Sequence, residues 1–310
     1  MRPAPFPALA LLLSTAAPAG AADLTPLYPD RAWIVLGVDV RAVHRSPLGK
    51  EVFGTDGPAV AARKLLTALG GPEAADDLKA LAPLDPLLDR VERLTAVTSE
   101  GGEPPDSDDL RVFLEGDFDD DALARAIEGA CRRQKVPYRA EPVGGRTVHV
   151  VGEEGRRLRV FRVDEGTVAV VLTPAAVADV LDRRAGRKKS KAPTAVVEGV
   201  RAIDRAATPI WLVVGENRVG GRVEHSRMVA TVALKEDATL RVRMETPDAA
   251  AAGRCRKTLE LYAGILAGAK DNRLLRELGE SASVETAGTV VTATAVLPGN
   301  SFAEVYAKQK

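Results

Sequence analysis

Aromatic side chains are scarce in this chain, making up 4% of its 310 residues. Surfaces that bind carbohydrate or nucleic acid commonly stack rings on the ligand, so the scarcity weighs against both classes. An excess of one charge is missing as well: 43 lysines and arginines balance 43 aspartates and glutamates. A near-neutral chain offers no electrostatic pull toward nucleic acid or an anionic membrane as its main partner. The three histidines, His44, His149 and His225, have no second ligand at zinc spacing. There is no G-x-S-x-G elbow and no S-x-x-K, and the glycines of Gly215–Gly221 come without the lysine of a phosphate loop. From these absences no catalytic residue, metal or cofactor is expected. A Ser–His–acid site could still assemble from distant positions, yet His225 and Ser226 do not make one by adjacency, because neighbours on a strand point to opposite faces.

Long apolar runs are missing after the first residues, and what stands there is short. Arg2 is followed by the apolar core Phe6–Leu13 and by Ala19-Gly20-Ala21, the small-x-small pattern of a cleavage site. Basic start, apolar core and cleavage site in that order predict a secretory signal peptide over residues 1–21. The core falls short of the ~20 residues that span a bilayer. No cysteine in this region offers a lipid attachment point. The expectation is an exported protein, periplasmic or secreted, with neither membrane span nor lipid anchor.

Composition beyond this leader is globular, with 45% hydrophobic and 28% charged residues. Periodicity predicts an α+β fold with mainly antiparallel sheets and helices packed on one face. Strands are expected at Ala32–Val38, Leu94–Thr98 and Leu110–Leu114, and helices at Pro58–Leu69 and Leu84–Val91. Between the second and third strands, Glu100–Ser107 has the composition of an exposed loop. Asp119 is placed to cap a helix running to about Gln134, with Phe118 and Leu123 as its hydrophobic staple. Gly144-Gly145 and Asp164-Glu165-Gly166 signal two hairpins, and Thr173-Pro174 opens a helix through Ala185.

The pattern then repeats. After a basic linker at 186–193, a helix is expected over Thr194–Ala206 and a strand over Ile210–Gly215. The segment Trp211-Leu212-Val213-Val214-Gly215 echoes Trp33-Ile34-Val35-Leu36-Gly37. Met228–Leu234 and Leu240–Met244 alternate as paired strands, with Arg241, Arg243 and Glu245 on a wet face. A long helix from Pro247 to about Lys270, a hairpin around Ala287-Gly288 and a short helix at Ser301–Ala307 complete the chain. A tandem duplication is the expected organisation, with an N-terminal α+β domain at 22–185 and a C-terminal one at 194–310 that can pack as one unit.

Two constellations call for chemistry. Asp117, Asp119, Asp121 and Glu128 occupy positions 1, 3, 5 and 12 of a calcium loop, but Ala122 stands where the loop needs glycine. Residues already in a helix cannot wrap a cation, so capping and dipole complementarity are the expected roles. Cys131 and Cys255, the only cysteines, lie in the two corresponding helices. Export makes a disulfide between them an option, and two buried free thiols are the other.

The leader, the strand ending Val38-Asp39-Val40, the segment Arg45–Lys50 and the succession of hairpins and helices together resemble uncharacterised exported bacterial proteins with duplicated sheet-and-helix domains. That resemblance implies no activity and no site residues. The expected function is that of a non-catalytic exported interaction protein, whose partner is another protein or an envelope component. Alternatives are a carrier or chaperone holding an apolar ligand on the sheet, and a hydrolase with His149 or His225 as base.

Overall fold

A computed structural model describes residues 23–54, 57, 60, 89–99, 110–153, 157–219, 221–270 and 272–307. Strands from both halves of the chain join in one antiparallel sheet of twelve, which makes the fold α+β. The first half supplies β1 (Ala32–Asp39), β2 (Val91–Ser99), β3 (Arg111–Gly116), β4 (Tyr138–Val143), β5 (Arg146–Val151), β6 (Leu158–Asp164) and β7 (Thr167–Val171). The second half supplies β8 (Ile210–Val214), β11 (Arg227–Leu234), β12 (Ala238–Glu245), β13 (Ser283–Ala287) and β14 (Val290–Leu297). Their order across the sheet is β4-β5-β6-β7-β3-β2-β1-β8-β11-β12-β14-β13. A separate two-stranded sheet pairs β9 (Asn217–Val219) with β10 (Arg222–His225).

Each half starts as a meander, leaves its third strand through a helix, and returns through hairpin strands. The last of these strands pairs with the third: β7 lies beside β3, and β14 beside β12. The connecting helices are α3 (Asp120–Gln134) and α6 (Ala249–Ala267), each capped by an aspartate. Asp119 accepts from the Ala122 amide at 2.6 Å and Asp248 from the Ala251 amide at 2.7 Å. Among the described residues the other α-helices are α1 (Val40–Arg45), α2 (Pro47–Phe53), α4 (Pro174–Arg184), α5 (Thr194–Arg201), α7 (Arg273–Glu280) and α8 (Gly299–Ala307).

The halves meet at β1 and β8, and this junction explains the echoed sequence. The register pairs Gly37 with Trp211, and the Gly215 amide donates to the Trp33 carbonyl at 2.8 Å. Each tryptophan therefore lies across from the other half's glycine. A side chain at Gly37 would enter the Trp211 ring, whereas one at Gly215 would stand 3.3 Å from the Trp33 ring. The Trp–x₃–Gly spacing is a packing device, the glycine making room for the ring.

Period-two alternation sends β-strand side chains to opposite faces. On one face Val35, Val97, Phe113, Phe161, Val171 and Val213 form the main core beneath α4 and α5, which contribute Val177, Val180, Val196 and Val200. Each such fully buried side chain stabilises the fold by roughly 1.5–3 kcal/mol. On the other face Leu114, Val160 and Val168 pack under Leu123, Ile127 and Cys131 of α3. Register continues that second face to Val38, Val232 and Met244, where α1, α2, α7 and α8 cover one cluster and α6 another. The helices thus do not keep to the single face the sequence predicts. One-sided cover holds at the β12-β14-β13 end, where Arg241 and Arg243 stay exposed, while both faces are covered over β3, β6 and β7 because both faces of those strands are apolar.

Other differences are local. The long second-half helix ends at Gly268, and α7 follows as a separate helix capped by Asn272. The helices expected at Pro58–Leu69 and Leu84–Val91, and the loop at Glu100–Ser107, fall almost wholly outside the described residues, although Val91 itself opens β2. The basic segment 186–193 is anchored: the Ser190 hydroxyl donates to the Tyr28 carbonyl at 3.0 Å, and the Lys191 amide to Asp30 at 3.0 Å.

Candidate functional site

One end of the central strands opens into a cleft of about 630 Å³. Its walls follow from two helix starts in quick succession. Asp39 ends β1 and caps α1, accepting from the Ala42 amide at 2.7 Å. Ser46 closes α1 and caps α2, accepting from the Gly49 amide at 2.9 Å, with Pro47 at the first helical position. The Asp39 amide donates to the Pro209 carbonyl at 2.7 Å, drawing in the turn that Asp204 holds through Ala206 and Thr208. Arg41, Arg45, Glu92 and Arg93 project around a floor of Ala42, Ala206, Ala207, Pro209 and Leu234.

Charge in the cleft is arranged in pairs. Arg41 bonds Glu92, and Arg93 lies 3.7 Å from Glu115, which is 7% exposed. Arg45 is exposed. A neighbouring cleft of about 410 Å³ shares Arg41, Arg45 and Glu92 and adds His44, Asp89, Arg90 and Asp117. Of the two carboxylates that line the cleft, Asp39 is committed to a helix cap and Glu92 to the ion pair with Arg41. The arrangement is suited to holding a partner's polar groups between guanidinium forks and an apolar floor.

The acidic run is dispersed. Asp117 lines the neighbouring cleft, Asp119 caps α3, Asp121 lies in its first turn, and Glu128 pairs with Arg132 at 2.9 Å. Capping by the Ala122 amide lowers the Asp119 pKa. Among the described residues no group of three or more histidines, cysteines or carboxylates is placed to hold a metal ion.

His149 is buried on β5 and shares a 3.0 Å hydrogen bond with the Tyr138 hydroxyl. His225 is buried on β10 with no hydrogen-bond partner for its Nδ1. Burial lowers the pKa of both. Neither adjoins the cleft, and the Ser226 hydroxyl donates to the Glu245 carbonyl instead of to His225. Cys131 and Cys255 are free and buried, in separate core clusters. Burial raises both thiols above the ordinary range, away from reactivity.

Sequence reasoning missed the cleft residues Arg41, Arg45, Glu92 and Arg93. The one legible signal was Arg45-Ser46-Pro47, where serine before proline marks a helix start.

No protein family matches the chain, and no curated protein matches it in sequence. In fold it is similar to crystal structures of TP0453, an exported protein of Treponema. Crystal form III matches with a TM-score of 0.54 at 10% identity, over 94% of this chain and 99% of that one. Crystal form I matches with a TM-score of 0.52 at 11% identity, over 94% and 98%. The likeness therefore extends over nearly the whole of both chains, and at this identity it is a likeness of fold.

Proposed function

We propose that this chain is an exported, non-catalytic interaction protein of the cell envelope, which recognises a protein or envelope component through the arginine-lined cleft. Residues 1–21 direct export, and the mature chain works in the periplasm or outside the cell. The observation that carries the reading is the cleft's chemistry: three arginines over an apolar floor, with Asp39 spent on a helix cap and Glu92 on its pair with Arg41. Arginine flanking an apolar floor is a common composition of protein-recognition sites. The test is capture from native envelope extracts at several salt concentrations, with the parent and with Arg45→Glu. A partner retained by the parent and lost by the variant is expected; no retained partner at any salt concentration would count against the reading.

The shared order of elements and the reciprocal Trp–Gly contacts support two copies of one ancestral unit, at 22–185 and 194–310, joined by 186–193. One further observation favours a carrier for an apolar ligand as the second reading. Leu36, in a central strand, keeps 37% of its surface exposed and shares its face with Leu212 and Ala230. A naphthylamine dye that binds the parent and not Leu36→Asp would support the carrier reading, and equal binding to both would remove it.

A further inference from the structure

A second cleft, of about 390 Å³, shares no lining residue with the first. It lies between the turn at Thr25–Leu27, the end of α4, the basic segment and the later part of α5 from Val197 to Arg201, and its charged lining residues are Arg183, Lys188, Lys189 and Arg201. Charges in and behind it do not balance. Asp179 is shared by Arg111, Arg183 and Lys188, Asp30 pairs with Arg183 at 2.8 Å, and Asp23 pairs with Arg201 at 3.1 Å. Lys189 is exposed and adds a further cation. Five cations therefore meet three carboxylates.

A second observation points the same way. The Arg183 side chain is 1% exposed. Its Nε donates to Asp179 at 2.7 Å and its Nη2 to Asp30 at 2.8 Å, yet Nη1 has no hydrogen-bond partner. A buried guanidinium nitrogen left unpaired is costly and uncommon in native proteins. A cleft with surplus positive charge over low-dielectric walls concentrates anions.

We propose that this cleft binds the phosphate group of a small soluble ligand. Arg183 brings its unpaired Nη1, Arg201 an exposed guanidinium, and Lys188 and Lys189 their ammonium groups. Donors from several sides suit a dianion with three acceptor oxygens better than a planar carboxylate. The volume exceeds that of phosphate alone, leaving room for a sugar-sized body. The unmatched Nη1 then gains an acceptor, and the surplus charge is neutralised.

The experiment titrates the full chain with inorganic phosphate at constant ionic strength, read by calorimetry and by ³¹P line width. Lys189→Glu and Arg201→Ala alter exposed side chains only, and Lys257→Glu on α6 makes the same charge change as Lys189→Glu far from the cleft in sequence. Saturable binding is expected, weakened at least about tenfold by each cleft variant and changed less than about twofold by Lys257→Glu. No saturation, or equal weakening by all three variants, would overturn the site. A parallel arm sediments the protein with phosphatidylglycerol or phosphatidylcholine vesicles. Cosedimentation with phosphatidylglycerol that Lys189→Glu abolishes would put the phosphate on a lipid headgroup and overturn the soluble-ligand assignment.

Discussion

Replacing Gly37 with alanine tests the junction of the two halves with a single methyl group. Its Cβ would fall 2.7 Å from Nε1 of Trp211, and closer still to Cζ2 and Cε2. Carbon atoms pack at about 3.5–4.0 Å, so the ring must move by more than an ångström. Trp211 is 5% exposed in the main core, beside Val213 and under the Arg205 guanidinium, 5.6 Å from the ring centroid. Such a ring cannot swing aside without disturbing its neighbours, and overpacking of this kind costs about 1–3 kcal/mol. The upper end, about 3 kcal/mol, is expected here, since the obstacle is a rigid ring and β1 is held by strands on both sides. Gly215→Ala meets the Val196 and Trp33 side chains only at 3.1 and 3.3 Å, so it should cost under about 1 kcal/mol. Urea denaturation followed by tryptophan fluorescence and circular dichroism measures both. Trp211→Leu supplies the control, because Gly37→Ala should lose most of its cost in that background. A Gly37→Ala midpoint within error of the parent would refute the packing argument.

Three further outcomes follow from the buried polar groups. Asp179→Asn strips Arg111, Arg183 and Lys188 of their shared carboxylate, a loss expected to destabilise by about 3–5 kcal/mol; a urea midpoint near the parent's would show the network to be dispensable. His149 and His225 titrate below their ordinary value because burial disfavours the imidazolium, so the unfolded chain binds more protons than the folded one as the medium acidifies. Stability is then full above about pH 6.5 and falls as pH drops from there toward the folded-state pKa values; the slope of urea midpoint against pH should flatten in the His149→Gln, His225→Gln double variant, and an unchanged slope would sink the assignment. Both thiols should react slowly with a disulfide reagent in the native protein and rapidly, as two equivalents, in denaturant without reductant; fast native labelling would contradict their burial.

Elements with strong local signals were legible in the sequence. Asp119 with Phe118 and Leu123, Thr173 before Pro174, and the paired glycines at 144 and 145 each satisfy a backbone requirement within a few residues. The echo at Trp33 and Trp211 was visible, but its meaning was not, because each tryptophan answers a glycine some 180 positions away. Helix placement misled for a related reason: the strands β3, β6 and β7 are apolar on both faces, and only the sheet's order shows that two helical layers are needed. The clefts were least legible. Arg41, Arg45 and Arg93 look like ordinary surface charge until the Asp39 and Ser46 caps and the Asp204 turn draw them around one hollow. Arg183 likewise reads as part of a basic run, and only its burial against Asp179 and Asp30 sets it apart.

The central claim is recognition at the cleft beside Arg45, and a photo-crosslinking side chain tests it most directly. It is placed at Ala206, which lines the cleft and is exposed, and separately at Lys257 on α6. Irradiation of envelope preparations should yield a discrete covalent adduct from position 206 and none from position 257. An adduct from 257 alone, or none from either, would contradict the account.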